Sequence, residues 1–314
     1  MTRRIRTVAI VGAGVIGAGW AALCVARGLD VSAYDPAPGA EQRLREAIDA
    51  AWPALTRLGL ADGASRERLA FASSAADAVK KADFVQESGP ETPELKQSLL
   101  MELDAVTRAD VPIASSSSGL MPSQLQEMAD QHPERILVGH PFHPAYLIPL
   151  VEVVPGRLTT PSVVDATSSF YSSLGKRPIL VRHEVLGHVT NRLQAALWQE
   201  AYSLVERGVA TVADIDTAIS DGPGLRWAFL GPFANQHLSG GAGGLAHTLE
   251  HLGPPAQEWM ADLGRVHLTP ALVDLLVAGM GAELTCIDET ALVAQRDELL
   301  IHLILQKRGR TALP

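Results

Sequence analysis

The sequence predicts an α/β protein in which a mostly parallel sheet with flanking helices is followed by an all-helical C-terminal domain. Strand-like and helical segments alternate from residue 7 to about residue 183, which is typical of βαβ units, and only helical patterns follow after that point. With 314 residues the chain is long enough for two domains. We therefore predict one domain over 1–183 and a second over 184–314.

The composition favours a small molecule as the partner. The chain is 47% hydrophobic and 19% charged, carries a formal net charge of −9 and has no long Lys/Arg block. These features argue against nucleic acid or an anionic membrane surface as the main partner. The two cysteines, Cys24 and Cys286, form no metal-spaced pair, so we expect no metal site, packing roles for both thiols and a reducing, cytoplasmic location.

An uncharged run of twenty residues extends from Thr7 to Ala26, and more than one kind of element would explain it. A membrane helix or a secretory signal would fit this length. However, the run leads into another apolar stretch rather than a cleavage site, and no second span follows it. A change of period favours a different interpretation, because residues 7–11 are typical of a buried strand and residues 15–27 are helix formers.

The turn between this strand and this helix has the spacing G-x-G-x-x-G, in Gly12-Ala13-Gly14-Val15-Ile16-Gly17. Gly12 permits the tight turn, Gly14 leaves room for a pyrophosphate, and Gly17 allows the helix to pack closely on the strand. The helix N-terminus offers unpaired N–H groups to the anion. All six residues are therefore candidate cofactor-binding residues.

The next strand supports a dinucleotide site. Residues 31–34 form this predicted strand, and Asp35 follows it, 23 residues after Gly12. An acid at this point binds the adenosine ribose hydroxyls and repels a 2′-phosphate. No Arg directly follows Asp35, so the pattern predicts a Rossmann-type domain that binds NAD rather than NADP. A glycine turn packed into a core without a ligand is the alternative.

The remaining elements follow from the same periodicities. In the second domain, residues 187–207 have an amphipathic pattern that ends at Gly208, and further helices extend to Gln306. In the first domain the patterns predict helices at 39–60 and 93–107, and strands at 69–71, 84–87, 111–115, 136–139, 150–154 and 178–181.

Polar side chains near strand ends indicate a candidate active site, because a parallel sheet binds ligands at the carboxyl ends of its strands. His140 follows one strand, and Glu152 is the single acid in an otherwise apolar strand. A buried carboxylate is costly unless it is paired, and His140 is the obvious partner. Such a pair can remove a hydroxyl proton while hydride leaves the carbinol carbon. A structural ion pair or an exposed edge-strand acid would leave the same pattern.

Five motifs, in chain order, resemble those of the 3-hydroxyacyl-CoA dehydrogenase family. The first is the glycine turn. Of the others, QESGPETPELK resembles the family's E-x-x-x-E…K stretch, ASSSSGLMPS its S-N-T-S segment, HPFHPAYLIPLVEVV its H-[FP]-F-N-P…LVEV signature and GHVTNRLQAALWQEA its G-F-[IV]-x-N-R-L element. The resemblance covers almost the whole chain.

The resemblance implies roles for individual residues. It places His140 on the family's catalytic histidine and Glu152 on the partner acid. Ser118 falls on the serine that contacts substrate and nicotinamide, and Asn191 on the asparagine that binds the substrate oxygen. Further residues expected on the cofactor side are Ser88, Glu91 and Lys96.

Two positions depart from the family pattern. His143 replaces the asparagine of H-x-F-N-P, and we expect a substrate contact there; a histidine hydrogen-bonded beside Pro144 is the alternative. Gly119 stands where acyl-CoA enzymes of the family commonly have a second serine.

The resemblance also implies the reaction, an NAD-dependent oxidation of an L-3-hydroxy acid to the 3-oxo acid. Segments such as DPAPGAE and GLRWAFLGPF are most similar to the branch that oxidises L-carnitine. L-Gulonate and 3-hydroxyacyl-CoA esters are the alternative substrates, and a crystallin-like structural protein is the non-enzymatic alternative. The family further implies that the helical domain, 184–314, forms a homodimer.

An aromatic side chain is a candidate substrate contact, because a quaternary ammonium prefers aromatic faces. Trp198 lies seven residues beyond Asn191, on the same side of the predicted helix. Packing in a core or in a dimer interface is the alternative role for this indole.

Overall fold

The computed structural model describes residues 4–310. The chain forms two compact units, Met1–Arg192 and Leu193–Pro314, whereas the sequence patterns place the domain boundary at residue 183. The boundary between the units lies within one helix, Thr190–Glu206. The first residues of this helix belong to the first unit because they make hydrogen bonds with Glu152 and Ser118.

An eight-stranded sheet forms the centre of the first unit. Its strands are β1 (Thr7–Val11), β2 (Asp30–Tyr34), β3 (Leu69–Phe71), β4 (Phe84–Glu87), β5 (Ile113–Ser115), β6 (Ile136–Pro141), β7 (Leu150–Pro155) and β8 (Arg177–Leu180). The strand order is β3-β2-β1-β4-β5-β6-β7-β8. All neighbours pair in parallel except β6 and β7, which confirms the predicted mostly parallel sheet.

Helices cover both faces of this sheet. They are α1 (Val15–Ala26), α2 (Ala40–Leu58), α3 (Ala75–Val79), α4 (Pro93–Val106), α5 (Pro122–Leu125) and α6 (Pro161–Ser173). In β1, Val8 and Ile10 pack into one core with α1 and α2, and Ala9 and Val11 pack into a second core with α3 and α4. Since side chains alternate across a strand, burial on both faces explains why β1 is apolar at consecutive positions.

The antiparallel pair β6 and β7 places the candidate catalytic residues together. In its register His140 lies directly opposite Glu152. Side chains of directly opposed residues project from the same face of a sheet and lie close to one another. The twelve-residue spacing in sequence therefore becomes a direct cross-strand contact.

The second unit is helical. After α7 (Thr190–Glu206) come α8 (Val212–Ser220), α9 (Pro223–Trp227), α10 (Pro232–Ser239), α11 (Gly244–Asp262), α12 (Pro270–Glu283) and α13 (Glu289–Lys307). Helix α7 begins three residues later than the predicted start at residue 187, because Gly187 and His188 have φ values of 75° and 52°. Positive φ is incompatible with a right-handed helix.

Two further expectations can be compared with the described residues. Cys24 is buried, as a packing residue would be, but Cys286 is exposed, so a packing role is wrong for that thiol. No single helix within 4–310 is long and apolar enough to cross a membrane; only Pro270–Cys286 and Glu289–Lys307 together meet those criteria, and they are bent by 85° where they join.

Candidate active site

The glycine turn leaves an open approach to the start of α1. Gly12 has a φ of +96°, and a Cβ there would come within 2.5 Å of the Ser88 carbonyl. A Cβ on Gly17 would lie 1.8 Å from the Gly12 carbonyl oxygen. Gly14, by contrast, is exposed and has no neighbour near the position of a Cβ. The turn thus packs tightly at Gly12 and Gly17 and leaves free space at Gly14, at the N-terminus of α1. This space fits a dinucleotide pyrophosphate.

Asp35 fixes the far side of this turn. Its Oδ2 accepts a hydrogen bond from the Ala13 amide at 2.8 Å, and its Oδ1 accepts one from the Ala37 amide at 2.9 Å. The carboxylate is therefore held at the carboxyl end of β2, beside the glycine turn. A carboxylate in this position suits ribose hydroxyls and opposes a 2′-phosphate.

His140 and Glu152 form a buried hydrogen-bonded pair. The His140 Nδ1 to Glu152 Oε2 distance is 2.8 Å, and the residues are 5% and 0% exposed. The other carboxylate oxygen, Oε1, accepts hydrogen bonds from the Val189 and Thr190 amides and from the Thr190 hydroxyl. Burial raises the pKa of the Glu152 carboxyl, but these hydrogen bonds outweigh it and the pKa lies below its ordinary value.

An ionised Glu152 determines the tautomer of His140. Because the carboxylate only accepts hydrogen bonds, the imidazole must carry its proton on Nδ1. The lone pair then lies on Nε2, which does not contact Glu152. This arrangement can accept a proton at Nε2 and stabilise the imidazolium that forms.

His188 contributes to the same cluster, although its role is not evident from the sequence. Its φ of 52° creates a sharp turn ahead of the two amides that bind Glu152. The ring is fully buried, 5.6 Å from the ring of His140, and its Nε2 lies 3.4 Å from the Ser117 carbonyl oxygen. Burial, followed by the proximity of His140, lowers the pKa of His188 below its ordinary value, which favours the neutral ring.

The serine turn after β5 is held by Glu91. One carboxylate oxygen of Glu91 accepts hydrogen bonds from the Ser117 hydroxyl at 2.6 Å, the Ser118 amide at 2.9 Å and the Gly119 amide at 3.2 Å. The Asn191 side-chain amide donates to the Ser118 carbonyl at 2.8 Å. The structure thus brings Ser118 and Asn191 side by side, with the Ser118 side chain exposed.

Glu87 is a site residue that the sequence reasoning missed. It is fully buried at the end of β4, and its carboxylate accepts hydrogen bonds from the Lys96 ammonium at 2.9 and 3.0 Å and from the Ser115 hydroxyl. Lys96 also donates to the Gly89 carbonyl, so this buried lysine supports the loop between β4 and α4 from below. A signal was available, because Glu87 is an acid at the end of a predicted strand that begins with Phe84 and Val85.

Two predicted substrate-binding residues have exposed side chains. The His143 side chain is exposed, next to the cis peptide bond that precedes Pro144. Trp198 is 47% exposed and belongs to the second unit. Among residues 4–310, no group of three or more His, Cys, Asp or Glu side chains is arranged to hold a metal ion.

Comparison with protein-family models matches both parts of the chain. Residues 7–185 match the model described as the NAD binding domain of 3-hydroxyacyl-CoA dehydrogenase. Residues 187–268 match the model of the C-terminal domain of the same enzyme. Only Leu186 separates the two matches.

Full-length relatives agree with these matches. An L-carnitine dehydrogenase of Streptomyces griseus is 52% identical to the chain over 307 residues, which are 98% of this chain and 91% of the relative. An L-carnitine dehydrogenase of a Pseudomonas species is 47% identical and covers 96% of this chain and 93% of the relative. A crystal structure of 5-formyl-3-hydroxy-2-methylpyridine 4-carboxylic acid 5-dehydrogenase, an NAD+-dependent dismutase, is 31% identical, with a TM-score of 0.85 over 98% of this chain and 100% of that one.

Proposed function

The chain belongs to the 3-hydroxyacyl-CoA dehydrogenase family and is an NAD-dependent oxidoreductase acting on CH–OH groups; from this premise we propose that it oxidises L-carnitine to 3-dehydrocarnitine. The buried His140–Glu152 pair carries the assignment of the chemistry, because it supplies a base with a fixed tautomer. The high identity to L-carnitine dehydrogenases over almost the whole chain supports the choice of substrate.

In this proposal His140 is the general base. Its Nε2 removes the proton of the 3-hydroxyl group as the carbon–hydrogen bond breaks and hydride leaves the carbinol carbon. Glu152 holds the ring through Nδ1 and offsets the positive charge that develops on it. NAD, when bound, supplies the nicotinamide ring that takes up the hydride.

Ser118 and Asn191 are proposed to donate hydrogen bonds to the reacting oxygen. Their adjacency supports this role, because the Asn191 side-chain amide donates to the backbone carbonyl of Ser118 and so lies beside this residue. The glycine turn, Asp35, Ser88 and Glu91 are proposed cofactor contacts. The ammonium of Lys96 faces Glu87 and Gly89, so its contribution to cofactor binding would be made through the loop it supports.

Trp198 is proposed to face the quaternary ammonium of L-carnitine, and His143 its carboxylate. Trp198 lies on α7 two turns beyond Asn191, and about half of its surface is exposed. An indole face stabilises a quaternary ammonium by about 0.5 to 2 kcal/mol. Replacing Trp198 with Leu should therefore raise the KM for L-carnitine more than it changes kcat; an unchanged KM would remove this contact from the proposal.

The substrate assignment is tested by NADH formation with a panel of hydroxy acids. We expect the highest kcat/KM for L-carnitine, with D-carnitine as the stereochemical control. L-Gulonate, 3-hydroxybutyrate and 3-hydroxybutyryl-CoA test the alternatives. Preference for one of these three would overturn the choice of substrate, and the absence of NADH with every compound would contradict dehydrogenase activity itself.

We also propose that the second unit joins two copies of the chain. Large apolar side chains are exposed on its helices, among them Leu193, Phe233, Trp259 and Met260, each at least 60% exposed. Apolar surface of this extent on a folded protein is typical of an interface. Light scattering should give the mass of a dimer, and Phe233→Asp or Trp259→Asp should reduce it; a wild-type monomer at micromolar concentration would contradict the proposal.

A cytoplasmic location is part of the same proposal. It is supported by the need for NAD and by the two cysteines, neither of which forms a disulfide bond. Cell fractionation followed by immunoblotting would test it, and recovery of the chain with membranes or in a secreted fraction would contradict it.

A further inference from the structure

A buried chain of hydrogen bonds runs from α6 through the sheet to the cofactor edge. The Tyr171 hydroxyl donates to Gln86 Oε1 at 2.7 Å, and Gln86 Nε2 donates to Ser116 Oγ at 2.9 Å. Ser116 Oγ lies 2.8 Å from Ser88 Oγ. Tyr171 and Gln86 are at most 1% exposed, whereas the two serines are half-buried. The chain therefore connects the core to a pair of hydroxyl groups at the surface of the sheet.

The orientation of the Gln86 amide is fixed by its neighbours. Besides Ser116, its nitrogen faces the carbonyl oxygens of Ala114 and Gly139 at 3.3 and 3.5 Å. These oxygens only accept hydrogen bonds, so a flipped amide would place oxygen against oxygen. The amide oxygen must therefore face Tyr171. Burial raises the pKa of Tyr171 well above its ordinary value, which keeps the phenol protonated as the donor.

The direction of these bonds determines what the two serines can offer. Ser116 Oγ accepts the hydrogen bond from Gln86 Nε2, so the Ser116 hydroxyl proton does not point at this amide. The serine pair holds two hydroxyl protons, and the bond between the two oxygens uses one of them. Whichever serine donates within the pair, one proton remains for an acceptor outside it.

The serine pair lies at the place expected for the cofactor. Ser88 and Ser116 directly follow the carboxyl ends of the neighbouring strands β4 and β5. Ser88 also packs against the glycine turn, because a Cβ on Gly12 would contact its carbonyl group. Ligands of open α/β sheets bind at this edge. The remaining hydroxyl proton is thus available to NAD.

We infer that Gln86 and Tyr171 are positioning residues for cofactor binding, and that they hold the Ser88–Ser116 pair as a hydrogen-bond donor to an acceptor oxygen of NAD. The inference rests on the use of NAD and is independent of which hydroxy acid is oxidised. Gln86 and Tyr171 lie in the core behind the serine pair, so they would act on cofactor binding through the two serines without touching the cofactor. Without Gln86, Ser116 could turn its proton toward the Ala114 or Gly139 carbonyl, and the outward donor would be lost.

The test is a double-mutant cycle in the affinity for NAD, measured by calorimetry on the full-length protein without substrate. Gln86→Met keeps the volume but removes the amide, and we expect it to raise the Kd for NAD by about 3- to 10-fold, the range for one hydrogen bond between neutral groups. Ser116→Ala should have a similar effect. In the Ser116→Ala background, Gln86→Met should then add little, because the group that it orients is already gone.

A buried neighbour on the same helix provides the matched control. The Thr167 hydroxyl is fully buried and has no hydrogen-bond partner among the described residues. Thr167→Val should leave the Kd for NAD unchanged. If Gln86→Met prevents folding, Tyr171→Phe interrupts the same chain one bond deeper and should also weaken NAD binding.

The outcomes separate this inference from the proposed function. An unchanged Kd in Gln86→Met, or equal losses with and without the Ser116 hydroxyl, would overturn the inference and leave the dehydrogenase assignment intact. Failure of the wild-type protein to bind NAD would instead contradict the proposed function.

Discussion

Glu152 shows how a charge is tolerated at the centre of this sheet. Its two oxygens accept four hydrogen bonds, from His140, from the Val189 and Thr190 amides and from the Thr190 hydroxyl. Oε1 accepts three of these bonds and Oε2 accepts one, so both carboxylate oxygens have donors. The buried charge therefore has compensation for its lost hydration, and it remains ionised beside the imidazole.

Loss of the His140 base should reduce turnover without reducing cofactor affinity. Replacing His140 with Gln keeps a polar side chain but removes the group that accepts the substrate proton. We expect kcat to fall at least about 100-fold, the range for a general base, with an unchanged Kd for NAD. Steady-state kinetics with L-carnitine and calorimetry with NAD measure the two quantities.

The His132–Glu134 pair provides the control for this substitution. Its Nδ1 to Oε1 distance is 3.0 Å, but both side chains are about 40% exposed and lie outside the candidate site. His132→Gln should leave kcat within about twofold, as expected of a surface pair. Equal turnover in His140→Gln and His132→Gln would exclude His140 as the base.

Gly139 is required by packing, since the Tyr171 hydroxyl occupies the space of a side chain. A Cβ on Gly139 would lie 1.9 Å from the Tyr171 oxygen. Gly139→Ala should therefore lower the free energy of unfolding by about 1 to 3 kcal/mol or more, as overpacked cores do. Gly119→Ala, where nothing lies within 4 Å, is the control and should be close to neutral. Urea denaturation measures both, and equal stability of the two variants would contradict this packing argument.

At the scale of elements, the Glu87–Lys96 ion pair joins β4 to α4, and the Ser115 hydroxyl extends it to β5. Both charged side chains are at most 2% exposed. The pair also binds the Gly89 amide and carbonyl, which are located on the loop that leads to Glu91. One buried contact therefore determines the path of the loop that supports the serine turn.

Breaking this ion pair should be costly, because it leaves Glu87 buried without its counter-ion. We expect Lys96→Met to lower the free energy of unfolding by about 3 to 5 kcal/mol. The exposed Arg45–Glu41 pair on α2 is the control, and Arg45→Met should cost less than about 1 kcal/mol. Similar melting temperatures for both variants would show that the buried pair contributes no more than a surface one.

At the scale of the whole molecule, Lys176 makes stability depend on pH. This lysine is buried between α6 and β8, donates to the Ala145 and Ile148 carbonyls and lies 5.1 Å from the ring centroid of Trp20. Burial lowers its pKa from 10.5 to about 7. Above pH 7 Lys176 therefore keeps its proton in the unfolded chain but loses it in the folded chain. The free energy of unfolding should rise with pH for this reason, by up to about 1.4 kcal/mol per pH unit.

The buried thiol of Cys24 limits this rise at higher pH. Burial raises the pKa of Cys24 from 9.0 to about 12, so above pH 9 the unfolded chain loses a thiol proton that the folded chain keeps. The two contributions have opposite signs there. The difference in the free energy of unfolding between the wild type and Lys176→Met should increase by about 2 to 3 kcal/mol between pH 7 and 9 and go on rising above pH 9, because Cys24 is present in both proteins; the stability of the wild type alone should level off there. Urea denaturation across this range measures the difference, and a constant difference would contradict a titrating Lys176.

The sequence by itself determined the strands of the first unit, its helices α1, α2 and α4 and the type of its cofactor site, whereas α3, α5 and α6 were not predicted. All eight strands could be located. In β1 consecutive apolar residues indicate a strand that is buried on both faces, whereas β8 is largely exposed. The glycine turn and Asp35 could predict an NAD site because both lie within one βαβ unit, so their relative position does not depend on distant parts of the chain. His140 and Glu152 could be singled out because an acid in an apolar strand needs a partner.

Only the tertiary structure decided which groups meet. The antiparallel register of β6 and β7 sets His140 opposite Glu152, and periodicity within one strand carries no information about its direction relative to a neighbour. The amides of Val189 and Thr190 reach Glu152 because His188 adopts a positive φ, which the residue type does not require. The Tyr171–Gln86–Ser116 chain links residues up to 85 positions apart, so its hydrogen bonds exist only once helix and sheet have packed.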